Sequence, residues 1–273
     1  MNKNIKTFYF SATGTTKKIV AGIADKLAKQ SSKTTTNNID FTLPDTRKAL
    51  VSFAKEDIVV AGVPVYAGRV PNVLLKYFNE IQGNGALAIA VVVYGNRHYD
   101  DALIELRDIL VSRGFRVIAA GAFIGEHSFS RILGKNRPDV QDMSRVAEFT
   151  GQIFQKLTAF QNAMETVSVP GKQPYQPYYQ PKDKDANPVA IHKVIPKTGI
   201  DCIQCGLCVS LCPMGSIDAD DESKIAGICI KCCACIKNCP VEAKYFDDAN
   251  FLWHKQQLEV AFTSPRREPE LFL

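Results

Sequence analysis

Residues 5–29 read IKTFYFSATGTTKKIVAGIADKLAK, and this stretch decides the fold of the first half of the chain. Residues 5–10 form a short apolar run of strand type. The hydroxyl-rich turn Ser11-Ala12-Thr13-Gly14-Thr15-Thr16 follows at once. A helix then runs to about residue 29, with Ile19, Val20, Ile23 and Leu27 on one face. The alternation continues: strand-like residues 34–41 and a helix over 44–54 come next. Residues 57–63 and 86–93 are continuous apolar runs bounded by turn signals, the pattern of parallel strands buried on both faces. Helices are expected over 71–81, with proline in the first turn, and over 99–112, where Leu103, Leu106 and Leu110 share a face. A fifth strand over 115–124 and a closing helix over 138–160 complete a doubly wound, five-stranded parallel α/β sheet. In such sheets the ligand lies at the carboxyl ends of the strands, where strand order reverses.

The expected ligand loops are those that follow the strands. Around the turn at 11–16, a phosphate would meet helix N-terminal N–H groups, hydroxyls of Ser11, Thr13, Thr15 and Thr16, and the open backbone of Gly14. No Walker lysine follows, so capture of a bound flavin phosphate suits the loop better than phosphoryl transfer. After the third strand comes Pro64-Val65-Tyr66-Ala67-Gly68-Arg69, and after the fourth Tyr94-Gly95-Asn96-Arg97-His98-Tyr99. Tyr66 and Tyr99 are the candidates to stack on a flavin ring. Gly68, Gly95 and Asn96 would bring peptide groups to its polar edge. Arg69 and Arg97 are either solvated or neutralise a reduced flavin. His127, in Gly125-Glu126-His127-Ser128 after the fifth strand, is at the ligand edge and either touches the flavin or is a satisfied structural group of a polar turn; it is kept outside the core site. His98 is treated likewise, and His192 and His254 have no motif context.

Eight of the nine cysteines fall into two copies of one spacing. Cys202, Cys205, Cys208 and Cys212 precede Pro213 as C-x2-C-x2-C-x3-C-P, and Cys229, Cys232, Cys235 and Cys239 precede Pro240 in the same way. This run holds cubane 4Fe–4S clusters, each fourth cysteine serving the other cluster. One cluster is therefore assigned to Cys202, Cys205, Cys208 and Cys239, and the second to Cys229, Cys232, Cys235 and Cys212. Cys233 is spare. Zinc knuckles come instead as two pairs across a longer loop. Disulfide scaffolds are short and exported, whereas residues 1–9 run straight into a strand pattern. No stretch approaches a membrane span. A reducing, anaerobic cytoplasm is the expected setting.

Residues 1–163 carry 21 Lys and Arg against 14 Asp and Glu, while the rest carries 12 against 14. The basic residues are scattered and form no nucleic-acid motif, so nucleic acid is not an expected partner. The split suggests instead that a basic domain docks on a slightly acidic one.

Residues 1–163 resemble a flavodoxin-type FMN domain through the S-A-T-G-T-T loop and the two later loops, and residues 197–246 resemble a bacterial two-cluster ferredoxin. Together they resemble the flavodoxin–ferredoxin fusion proteins of anaerobes. The resemblance implies FMN, bound noncovalently with its phosphate on residues 11–16, and two 4Fe–4S clusters in a small α+β domain. It departs from the family in its basic flavodoxin half, and in Lys244, where ferredoxins often carry an apolar residue. Residues 164–196, rich in proline and tyrosine, read as a semi-rigid strap. Residues 247–273 read as a tail that packs back on the body, opening with a helix that carries Leu252, Trp253 and Leu258.

Two functions fit this combination. One is electron transfer between FMN, the clusters and redox partners of ferredoxin, flavodoxin or oxidoreductase type. The other is an FMN-dependent reductase of a quinone or nitro compound. With no dinucleotide fingerprint and no acid–base pair evident, the sequence favours the first. A redox sensor resting on Cys233 is a weaker third idea.

Overall fold

The computed structural model describes residues 4–31, 36–159 and 165–273. Thr34, Thr35 and Phe160, and the expected boundary between residues 163 and 164, lie outside these. The α/β half comprises β1 (Asn4–Tyr9), α1 (Thr15–Gln30), β2 (Thr36–Asp40), β3 (Asp57–Pro64), α2 (Asn72–Phe78), β4 (Leu87–Tyr94), α3 (Ala102–Ser112), β5 (Arg116–Ile124) and α4 (Val140–Ala159). Its strands run parallel in the order β2-β1-β3-β4-β5, so strand order reverses between β1 and β3. Successive residues of the central strands serve opposite cores. Phe8, Val59 and Val92 pack under α2 and α3 with Leu74, Phe78 and Leu106, while Tyr9, Val60 and Val91 pack under α1 and α4 with Ile23, Val146 and Phe149. This two-sided burial is why β3 and β4 read as unbroken apolar runs. Gly62 lets α1 lie close on β3, because a Cβ there would stand 2.3 Å from Val20 Cγ2.

One expected helix does not form. Residues 44–54 give only a 3-10 turn, Asp45–Arg47, and then an extended segment. The Phe53 N–H donates to Gln82 O and the Gln82 N–H to Val51 O, which draws the Phe53 ring between Phe8 and Phe115. A helix here would forfeit that pairing.

The second half is built on short elements: β6 (Lys197–Thr198), α5 (Leu207–Ser210), α6 (Ala234–Lys237) and β7 (Lys244–Tyr245), with β6 and β7 antiparallel. Between the halves, the described part of the strap is extended over the α/β surface. The Val167 N–H donates to Val117 O, the Tyr178 hydroxyl to Val70 O, and the Tyr179 N–H to Ala67 O. The tail forms α7 (Ala249–Phe262) and β8 (Glu270–Phe272). In α7 the buried face is Phe251, His254 and Leu258, whereas the expected Leu252 and Trp253 are exposed. β8 pairs antiparallel with β5, so the sheet has six strands and not the expected five.

Candidate functional site

The turn after β1 ends at Gly14, whose φ of 85° is left-handed and whose Cβ position faces open space. No side chain caps α1, so the first N–H groups of the helix stay available to an anion. The Lys17 N–H is the exception, because it donates to Ser11 Oγ. Ser11 is thereby engaged within the turn. Thr13, Thr15 and Thr16 line a cavity of about 60 Å³ together with Pro64, Val65, Tyr66, Tyr94 and Gly95. Thr16 Oγ1 is buried there without a hydrogen-bond partner. A buried hydroxyl left unmatched is costly, and a phosphate oxygen is the kind of acceptor that would satisfy it.

A second cavity, about 200 Å³, adjoins the first through Val65, Tyr66, Tyr94, Gly95, His127 and Ser128. Ala67 and Gly68 also line it. Ala67 (φ 51°) and Gly68 (φ 78°) form a tight turn closed by reciprocal Tyr66–Arg69 hydrogen bonds, and this turn presents the Tyr66 ring to both cavities. Burial, followed by the nearby Cys232 and Cys233, pushes the Tyr66 hydroxyl pKa well up.

Two expected ligand residues point elsewhere. Tyr99 is buried, stacks on His98 with ring centroids 4.9 Å apart, and donates its hydroxyl to Glu270 Oε2 at 2.6 Å. It lines neither cavity, because β8 claims its polar end. Asn96 (φ 60°) is also buried. Its Nδ2 donates to Phe262 O and Pro265 O, and its Oδ1 accepts from Arg137 and the Arg267 N–H. It anchors the tail. Arg69 is neither solvated nor in the cavity: it pairs with Glu105 and lies between the rings of Tyr175 and Tyr178. Arg97 does line the larger cavity, paired with Asp100 and 4.9 Å from the Tyr179 ring.

The site also recruits residues that the sequence reading set aside. His127 lines both cavities, and a Cβ on Gly95 would stand 2.4 Å from its Cδ2. The only signal in the sequence was its position after β5. His127 Nδ1 accepts from the Phe129 N–H, which leaves the proton on Nε2. Burial, helped by Lys237, His254 and Arg97, lowers its pKa to about 3, so the ring is neutral. Tyr179 of the strap and His254 of α7 stack on each other at 5.7 Å and wall the same cavity.

The cysteines gather into two groups. Cys202, Cys205, Cys208 and Cys239 line one small cavity, and Cys212, Cys229, Cys232 and Cys235 line another, with the spare Cys233 beside them. The two halves of the segment repeat every 27 residues in backbone detail. Gln204 and Lys231, Gly206 and Cys233, and Gly215 and Glu242 all have positive φ. The Ser216 N–H donates to Cys212 Sγ at 3.3 Å, and the Ala243 N–H to Cys239 Sγ at 3.2 Å. Cys233 thus stands where its counterpart is a left-handed glycine, and its thiol donates to Lys231 O. Burial pushes the Cys232 and Cys235 thiols up to about 12, so without iron they are protonated and binding must expel those protons. Among the described residues, no three His, Cys, Asp or Glu side chains converge as a single metal ion requires.

The contacts joining the halves mix ion pairs with bonds from cations to backbone carbonyls. Arg47 donates to Pro213 O, and Lys237 reaches back to Glu126, His127 O and Ser130 O. Arg131 pairs with Glu242 at the exposed rim.

Residues 201–218 match the family described as "4Fe-4S binding domain". No curated protein matches the chain. Among solved structures, the chain is similar to a flavodoxin from the domain Archaea, at 15% identity over 57% of this chain and 99% of that one, with a TM-score of 0.40. It is similar to Fusobacterium nucleatum flavodoxin bound to flavin mononucleotide, at 19% over 56% and 98%, with a TM-score of 0.38. It is also similar to an NADH:FMN oxidoreductase, at 16% over 57% and 91%, with a TM-score of 0.43. The strand order β2-β1-β3-β4-β5 is itself that of flavodoxin-like folds. By its strand order the first half has a flavodoxin-like fold, and it is followed by a segment that matches the 4Fe–4S binding domain family over residues 201–218.

Proposed function

We propose that this protein relays low-potential electrons between FMN and two 4Fe–4S clusters, and on to partner redox proteins in the cytoplasm. What supports the reading above all is adjacency: one four-cysteine cavity shares Cys232 with a cavity at the strand ends where the flavodoxin-like order reverses, and the second four-cysteine cavity lies in the same short segment. The chain divides for this task into an FMN domain (1–163), a strap (164–196), a cluster domain (197–246) and a tail (247–273). Among the described residues no helix is long and apolar enough to cross a membrane.

The residues present fit FMN. Thr13, Thr15, Thr16 and the open N–H groups of α1 would hold its phosphate, and the orphaned Thr16 hydroxyl is the feature that asks for one. Tyr66, Tyr94, Gly95 and His127 would flank the ring, with the neutral His127 Nε2–H as a donor. Bound there, the flavin supplies a store that converts two-electron to one-electron transfers. Cys202, Cys205, Cys208 and Cys239 would hold one cluster, and Cys212, Cys229, Cys232 and Cys235 the other.

Anaerobic purification with flavin release, iron and sulfide assay, and EPR of the reduced protein tests this. FMN with iron and sulfide for two cubanes is the expected outcome. Zinc in place of iron, or no retained flavin, refutes it. Reduction of a quinone or nitro compound faster than by free FMN would favour a reductase.

A further inference from the structure

We infer that the two clusters are not equivalent: the one held by Cys212, Cys229, Cys232 and Cys235 exchanges electrons with the flavin, and the one held by Cys202, Cys205, Cys208 and Cys239 meets the outside partner. The inference rests on the functional reading above and assigns the order of the relay.

The walls of the cavities carry the argument. Cys232 lines the smaller flavin cavity as well as its own cluster cavity, so one ligand belongs to both sites. Its neighbours Ile230 and Lys231 line the larger flavin cavity, and Ile230 packs against the core of the α/β half. Tyr66 stands between the flavin cavities and this loop, its hydroxyl within electrostatic reach of Cys232 and Cys233. The contact is held from both sides. Arg47 donates to the carbonyl of Pro213, next to Cys212, at 2.6 Å, and Lys237, two residues beyond Cys235, grips Glu126, His127 and Ser130.

The other group is placed differently. Among the described residues, none from 197 to 228 lines either flavin cavity. Cys205 is exposed, as are Ile200 and Ile203 around it. An iron held by Cys205 would lie within reach of solvent and of another protein, whereas Cys232 is buried.

Each transfer along this route moves one electron and makes or breaks no bond. A low-potential redox protein is oxidised by one electron at the outer cluster, which is reduced by one. With the clusters and FMN bound, Cys202, Cys205, Cys208 and Cys239 would hold the site that receives this electron, and Cys212, Cys229, Cys232 and Cys235 the site that hands it on to the flavin cavity. Two such events would deliver the two electrons of the anionic reduced flavin, with one proton taken from solvent. Flow in the other direction would use the same sites in the opposite order.

The test uses the loaded full-length protein. A Cys205→Ser variant, altered at the exposed end, is expected to lose one of the two reduced-cluster EPR signals, which identifies the outer cluster. In unmodified protein the bound flavin is then photoreduced by a light pulse in the presence of EDTA as sacrificial electron donor, and samples are frozen at successive times. The signal that the Cys205→Ser variant retains should appear first, and the signal it loses second. The opposite order, or simultaneous appearance with no precedence, overturns the assignment. If Cys205→Ser does not fold, Ile203→Asp next to the outer site replaces it, and the signal whose shape it alters is the outer one. Protein that binds clusters but no flavin would refute the functional reading itself, and the relay order would fall with it; the flavin content, measured first, tells the two failures apart.

Discussion

Replacing Thr16 by valine should move the flavin-free and flavin-bound protein in opposite directions. The Thr16 methyl already faces Gly62, and its hydroxyl is buried without a partner in the smaller cavity. A buried hydroxyl that makes no hydrogen bond costs about 1–3 kcal/mol, and valine keeps nearly the same shape. Without flavin, Thr16→Val should therefore be more stable, by a Tm rise on the order of 2–10 °C at this chain size. With flavin, the variant loses a hydrogen bond to a charged phosphate, about 1.5–3 kcal/mol. FMN affinity should then fall about 10- to 150-fold. Scanning calorimetry of flavin-stripped protein reads the first effect, and titration by quenching of FMN fluorescence reads the second. A flavin-free variant that loses stability while keeping wild-type affinity would refute the placement of the phosphate at Thr16.

Tyr99→Phe should cost about 1–2 kcal/mol in chemical denaturation by removing the bond to Glu270, yet leave FMN affinity unchanged; weaker binding would return Tyr99 to the flavin site. Lys237→Met removes three interactions across the junction and leaves Glu126 without its cation, a loss of about 3–5 kcal/mol for a largely buried pair. The expected signature is cluster absorbance lost at a lower temperature than sheet ellipticity, and coincident transitions at the wild-type midpoint would contradict it. His127 takes up no proton in the folded state until about pH 3, whereas the unfolded imidazole protonates near pH 6.5. Stability should fall as pH drops from about 6.5 towards 3, and His127→Asn should flatten that slope by up to about 1.4 kcal/mol per pH unit. Equal slopes in denaturation series over that range would exclude the burial assigned to His127.

The parallel strands were legible because burial on both faces leaves a signature inside each segment: residues 57–63 and 86–93 need no distant partner to be read. The cysteine grouping was legible for a similar reason. The x2-x2-x3-Pro spacing aims three thiols one way and sends the fourth across, and the structure brings the same fours around two cavities. What the sequence could not disclose depends on chain that arrives much later. Tyr99 and Asn96 sit in a strand-end loop suited to a flavin, but the tail, some 170 residues on, takes their polar groups. His127 gained its role only when Gly95 made room for it and the strap and α7 closed around it. The helix expected over 44–54 lost to a backbone pairing with Gln82, which no local pattern announces. The charge split suggested docking by attraction; what it could not disclose is that the cations of the junction also bond backbone carbonyls, as Arg47 does at Pro213.

The short final strand has a consequence for solubility. β8 covers only Ala120, Gly121 and Ala122 of β5, three small residues that offer an intruding strand no steric obstacle. Stripped of residues 270–272, that flank would become a bare template of N–H and C=O groups, open to another copy of the chain. A stop codon before Glu270 should therefore convert a covered edge into a self-pairing one, seen as concentration-dependent oligomers in sedimentation that the full-length chain does not form under the same conditions.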